Sequence, residues 1–178
     1  MNVRWCQLNL YLALALACAA VCGCKTGEVA KLSKQLATLR LHIEVARGSI
    51  KPNEPVPIYR ERPIMVRVEL APFITEANVA QAKVVEVMGG YALRIKFDHT
   101  GLALLEDYTV SHNGRRIAVF SQFGDKLSEA RWLAAPLITR RISDGVLTFT
   151  PDASREECED IALGLNNVAK EVQVFPDF

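Results

Sequence analysis

The sequence predicts an α+β domain: an antiparallel-rich sheet with two helices packed on one face, ferredoxin-like in style. Three observations lead there. Short stretches of apolar–polar alternation recur along the chain and are separated by Gly-Gly, Asn-Gly and Asp-Gly turns. Two stretches carry helical spacing behind a capping residue. Both of these are flanked by strands, which brings each helix down onto a sheet.

In chain order, Leu39, Leu41, Ile43 and Val45 alternate with Arg40, His42 and Glu44, the signature of a half-buried strand. Gly48 to Pro57 holds one Gly and three Pro and reads as a loop. Ile64, Val66, Val68 and Leu70 alternate with polar or exposed-type residues between Pro63 and Pro72, giving a second strand. Val79 to Met88 and Tyr91 to Phe97 form a hairpin about Gly89-Gly90. Asp98 or Thr100 caps a helix with Leu102, Leu105 and Tyr108 on one face. Asn113-Gly114 turns the chain into a strand over Arg116 to Phe123. Leu127 to Ile138 is extended in part and has the poorest periodicity. Asp144-Gly145 leads into a strand over Val146 to Thr150. Ser154 and Glu157 make a capping box, acidic residues crowd the first turns, and Cys158, Ile161, Ala162, Leu165 and Val168 form an apolar stripe. A strand over Glu171 to Phe175 closes the chain. No repeat of solenoid type is present.

The first residues belong to targeting, not to the core. Arg4 is the only charged side chain before Lys25, and Leu8 to Val21 is apolar apart from Asn9. That run has the length of a signal-peptide apolar region and is short for a membrane span. Val21-Cys22-Gly23-Cys24 resembles the lipobox of bacterial lipoproteins, with Val where Leu is usual. The resemblance implies lipid on Cys24 and cleavage before it, with Cys18 and Cys22 as competing acceptors. The expected organisation is therefore a signal peptide over 1–23, a lipidated cysteine and tether over 24–37, and one α+β domain over 38–178. Lys25 in place of Asp favours the outer over the inner membrane, on the periplasmic side. Of five cysteines, Cys24 and Cys158 would survive cleavage, which leaves no disulfide framework.

The 178 residues carry a net charge of +1 and are 50% hydrophobic, which argues against nucleic-acid binding. His42, His99 and His112 lack ligand spacing, so no metal site is expected. Glu106 and Asp107 are helix neighbours and point apart. Gly-x-Ser-x-Gly, a partnered Cys/His pair and a phosphate-binding loop are all missing, so neither a catalytic residue nor a cofactor is expected. Three basic spots, Arg115-Arg116, Arg131 and Arg140-Arg141, suit anionic headgroups or acidic chain segments, or simply a solvated surface. Trp132 beside Arg131 suits a partner anchor or a core position.

From about Phe73 onward the chain carries, in order, ITEANVAQAKVV, LRIKFDHTGLALLEDYT, NGRRIAVF, AAPLITRRISDG and TPDASREECEDIALGLN. This order of motifs resembles the head subdomain of the first periplasmic domain of SecD/SecDF. The stretch FGDKLSEARWLAAP is longer than the family's usual connection, and the many-helix membrane part of SecD has no counterpart, so the resemblance is to a stand-alone lipoprotein version. It implies a non-enzymatic, membrane-tethered periplasmic module that contacts exported polypeptides or envelope proteins in connection with protein export. Arg131 and Trp132 are the candidate partner contacts. The alternative is a structural envelope lipoprotein that self-associates or scaffolds a larger complex. The oligomeric state is open.

Overall fold

A computed structural model of the chain describes residues 35–46 and 48–174. The expected signal peptide, Cys24 and the tether up to residue 34 lie outside the described residues. The elements are β1 (Arg40–Ile43), β2 (Asn53–Ile58), β3 (Ile64–Glu69), β4 (Ile74–Thr75), β5 (Val79–Val87), β6 (Gly90–Phe97), α1 (His99–Ser111), β7 (Ile117–Phe123), β8 (Glu129–Ala134), β9 (Val146–Phe149) and α2 (Arg155–Val174). Every ladder is antiparallel, and with the two helices this is the expected α+β class. The strands fall into three ladders instead of one sheet: β4-β1-β7-β8, the hairpin β2-β3, and β5-β6-β9.

The division follows from how the strand edges are closed. In β2, Pro55 and Pro57 lie opposite Arg67 and Met65. Leu70 N–H donates to Pro52 C=O, which puts 54–68 and 56–66 in register as bonded pairs and turns the backbone nitrogens of both prolines away from β3. Proline is tolerated on such an edge and blocks a further strand. This is why a loop expected over 48–57 is a strand from Asn53: its prolines sit where no N–H is needed. The nine-residue β5 is closed by a helix. The Asn166 side-chain amide accepts from Ala82 N–H and donates to Ala82 C=O, both at 2.8 Å, as a strand would. β8 is met at Leu133, whose C=O accepts from Asp152 N–H at 2.7 Å.

Both helices start as the sequence implies. Asp98, not Thr100, caps α1: its carboxylate accepts from Gly101 N–H at 2.6 Å. For α2 the capping box is reciprocal: Glu157 N–H donates to Ser154 Oγ and Ser154 N–H donates to the Glu157 carboxylate. α2 then runs on through 171–174, where a strand was expected. No Gly or Pro stands between Gly164 and Pro176 to stop it. The hairpin turn between β5 and β6 is Met88-Gly89, because Val87 already pairs with Gly90; Gly89 takes φ +87°.

The main core joins β1, β6, β7, β9 and α1 to α2 through Leu41, Ile43, Leu93, Ile95, Leu105, Val119, Leu147, Ile161 and Leu165. A second cluster lies under the β2-β3 hairpin, where Val56, Ile58, Val66 and Val68 meet Ala118 and Ala135. Burial of one such Leu, Ile or Val contributes roughly 1.5–3 kcal/mol. Residues 35–39 reach the core beside α2, with Ala37 and Leu39 each 1% exposed. Gly164 makes this possible: a Cβ there would lie 2.6 Å from both Ala37 N and the Leu36 carbonyl carbon.

Candidate functional site

The stretch singled out by its weak periodicity, 127–138, splits in two. Its first part is a 3-10 turn, Asp125–Leu127, followed by β8, which pairs with β7 through a register shift between Val119 and Phe120. That bulge is the physical source of the poor alternation. Arg131 and Trp132 sit on β8 and are already engaged within the molecule. The Arg131 guanidinium donates to both Glu157 oxygens at 3.0 and 3.2 Å, to Asp152 C=O at 3.3 Å, and lies over the Phe123 ring at 5.2 Å. Burial alone would lower its pKa, but the Glu157 hydrogen bonds and charge outweigh that and raise it; burial likewise opposes the Glu157 charge, while Arg131 and Ser154 N–H hold its pKa down. Arg60 donates to Asp152 from both its backbone N–H and its Nε, so one ionic group ties the β2-β3 turn, β8 and the start of α2 together. Trp132 is half-buried on the second cluster, edge-on to His42 at 5.2 Å and tilted against Phe120 at 5.1 Å.

The second part of the stretch, 136–138, turns away from β8 and forms one wall of an open cleft of about 620 Å³. The opposite wall is β9. Phe97 N–H donates to Gly145 C=O, so in the β6–β9 ladder Gly145 and Leu147 are bonded to β6, while Val146 and Thr148 point their backbone N–H and C=O groups outward. Val146 N–H is taken by the Asp144 carboxylate at 3.1 Å. Among the described residues, no backbone partner meets the outward N–H and C=O of Thr148. β9 thus faces the cleft with an edge that carries no further strand and is open at Thr148.

The cleft is basic. Arg94, Arg140 and Arg141 line it, against one acid, Asp144. Arg141 pairs with Glu106 outside it. Arg94 Nε donates only to Thr148 Oγ1, at 3.4 Å, and Arg140 has no ion pair or hydrogen bond among the described residues. The basic character continues over the outer face of the β5-β6-β9 ladder. There Lys83 lies directly opposite Arg94, Arg94 opposite Thr148, and Gln81 opposite Lys96. Of the three basic spots expected from the sequence, only Arg140-Arg141 reaches this cleft. Arg116 instead braces β7, donating to Ala135 C=O at 3.0 Å. Arg94, Lys83 and Lys96 were not expected to form part of a site, although the all-basic polar face of LRIKF is open to view in the sequence.

The remaining titratable groups play local parts. His42 is buried and donates from Nδ1 to Glu69 C=O at 2.8 Å; burial lowers its pKa more than that bond raises it. His112 bonds Tyr108 C=O near the end of α1. Cys158 is fully buried, and burial, with Glu157 and Glu159 adding to it, pushes its thiol up to about 12. Among the described residues, no three His, Cys, Asp or Glu side chains are grouped to hold a metal ion, and no helix is long and apolar enough to cross a membrane.

This architecture has known relatives. A SecDF structure in a super-membrane-facing form superposes with a TM-score of 0.55 at 21% identity, covering 80% of this chain and 20% of that one. A second, of a membrane component SecDF that enhances protein export, gives 0.53 at 22% identity, covering 80% and 67%. At such identities these likenesses establish the fold, and this chain spans only a fifth of the first protein's length. No curated protein matches the chain. Residues 53–169 match the family of the SecDF P1 head subdomain, two-thirds of the chain, and the protein therefore belongs to that family.

Proposed function

We propose that the protein is a non-enzymatic polypeptide-binding module, tethered through lipid on Cys24 at the periplasmic face of a bacterial membrane and acting in protein export. Membership of the SecDF P1 head family supports the link to export. The observation that carries the binding reading is the outward edge of β9 beside an open cleft. An extended chain laid there would gain main-chain hydrogen bonds irrespective of its sequence, which suits a partner that is unfolded and variable. The contact falls on the far end of the 127–138 stretch. A contact through Arg131 or Trp132 would require those side chains to leave Glu157, His42 and Phe120.

The test is titration of the purified full chain, in neutral detergent, with a permanently unfolded exported protein carrying a fluorophore. Binding should be seen in the micromolar range, since ordering an unfolded ligand offsets much of the contact energy. A silent titration up to several hundred micromolar refutes the reading. Mass spectrometry of the cellular protein tests the tether: a diacylglyceryl group on an N-terminal Cys24 is expected, and an intact Met1 refutes it.

A further inference from the structure

We propose that the β9 cleft selects acidic segments: the occupant is an extended peptide that adds as a strand to the outer edge of β9 and sets carboxylate side chains against Arg94 and Arg140. This rests on the polypeptide-binding reading and names the chemistry of its ligand.

Three observations converge on it. The first is the contrast among edges. β2 is blocked by Pro55 and Pro57, β5 is closed by Asn166, and β8 is met by Asp152. On β9 the Val146 N–H is held by Asp144, but among the described residues no proline, helix side chain or neighbouring backbone meets the outward groups of Thr148, and the strand is fixed from behind by buried Leu147 and Phe149. A rigid, unpaired edge is a template for a further strand. The second is the charge. Lys83 and Arg94 stand directly opposite each other on an exposed face, an arrangement that is unfavourable in isolation. Lys96 is two residues from Arg94 on the same strand, and Arg140 lines the cleft without an anionic partner among the described residues. A carboxylate on a strand added to β9 would stand two strand spacings, about 10 Å, from the β6 backbone, within reach of the long Arg94 side chain, and by pairing with it would ease its repulsion with Lys83. Arg94 is already presented toward β9 by its bond to Thr148 Oγ1. The third is shape. The outward N–H and C=O of Thr148 lie along one wall of a cleft whose other wall is 136–142. A single extended strand can enter it and satisfy both groups. A broad lipid surface would meet Lys83 and Lys96 but would leave the backbone of Thr148 unmatched.

The experiment uses the purified full chain and two fluorescent peptides, one alternating Val and Glu, the other Val and Gln. At low ionic strength the Glu peptide should bind about tenfold more tightly. Salt at about 1 M should erase most of that difference, because the Debye length falls to ~3 Å. The double variant Arg94→Gln/Arg140→Gln should bring the Glu peptide to the level of the Gln peptide. Thr148→Pro removes an N–H that β6 does not use and should weaken both peptides. Should that variant misfold, hydrogen exchange on the wild type reads the same contact, through slowed exchange of Thr148 N–H when peptide is bound. Equal binding of both peptides overturns the acidic selection and leaves polypeptide binding standing. Failure of both peptides while the unfolded exported protein binds overturns the cleft as the site. Failure of all three removes the proposed function itself. Arg94- and Arg140-dependent binding of dihexanoyl-phosphatidylglycerol, with no peptide bound, would assign these cations to lipid and also overturn the proposal.

Discussion

Gly164→Ala separates helix propensity from packing. In the interior of α2, replacing Gly by Ala should by propensity alone stabilise the helix by roughly 0.5–1 kcal/mol. The structure predicts the reverse. The new Cβ would sit 2.6 Å from Ala37 N, 2.6 Å from the Leu36 carbonyl carbon and 2.8 Å from Ala37 Cβ. Ordinary contacts lie near 3.5–4.0 Å, so residues 36–37 must withdraw by about 1 Å. Backbone atoms cannot rotate aside, and overpacking of this kind costs about 1–3 kcal/mol. Withdrawal also stretches the bond from Asn167 Nδ2 to Gln35 C=O, now 2.9 Å, and loosens buried Leu39. The expected net loss is about 1–3 kcal/mol, read from urea or guanidinium midpoints at unchanged m-value. Ala37→Gly in the Gly164→Ala background should recover only a minor part, since the closest atoms are main chain. A stabilisation near 1 kcal/mol would refute the docking of residues 35–39 on α2.

Three further perturbations test other parts of the molecule. Arg131→Ala should cost about 2–3 kcal/mol, since it leaves the partly buried Glu157 without its bidentate partner, whereas Arg155→Ala, on an exposed pair with Glu86 and Glu159, should change the melting temperature little; equal effects from the two would contradict the bracing role given to Arg131. Because burial holds the His42 pKa below its usual 6.5, the unfolded chain takes up the proton first on acidification; the contribution of neutral His42 is complete above the unfolded pKa and is lost as pH falls from there through the folded pKa, so thermal melts from pH 7.5 to 5 should show a decline that His42→Gln removes in part. Cys158, its thiol pushed up to about 12 and fully buried, should resist iodoacetamide at pH 8 in the native protein and react once the chain is unfolded in urea; peptide mapping that finds it alkylated natively would mean α2 opens readily.

Much of the fold was legible because it rests on local signals. Alternation located β1, β3, β5, β6, β7 and β9, and the Ser154–Glu157 box located the start of α2. The features that were not legible share a cause: they depend on partners far away in sequence. Pro55 and Pro57 argue against a strand until β3 is known to lie on their other side. The two-residue β4 exists only because Leu41 and Arg40 pair with it. The division into three ladders is set by side chains such as Asn166, 84 residues from the strand whose edge it closes. The candidate site was legible only at its ends. Arg140 and Arg141 were visible as a basic spot, and 127–138 as an irregular stretch. That Thr148 faces outward, and that Arg94 faces the same cleft, follows from register, which no single strand reveals.

If the cleft takes an extended chain as proposed, its placement limits how tightly that chain is held. β9 is short, with Val146 and Thr148 as its outward residues, and Asp144 already holds the N–H of Val146. An added strand therefore has few main-chain bonds available, each contributing about 0.5–1.5 kcal/mol net. Against this stands the ordering of every peptide residue laid down, at about 1–2 kcal/mol each. Main-chain pairing alone therefore falls short of the ordering cost. Net affinity must come from the side chains on either flank: apolar contact with the wall at 136–142, and charge from Arg94 and Arg140. An edge fixed by Leu147 and Phe149 adds no ordering cost of its own, so these modest terms are enough for a short-lived complex. Weak, reversible capture is what the proposed polypeptide-binding function calls for, and on that proposal the specificity lies in Arg94 and Arg140 more than in the strand.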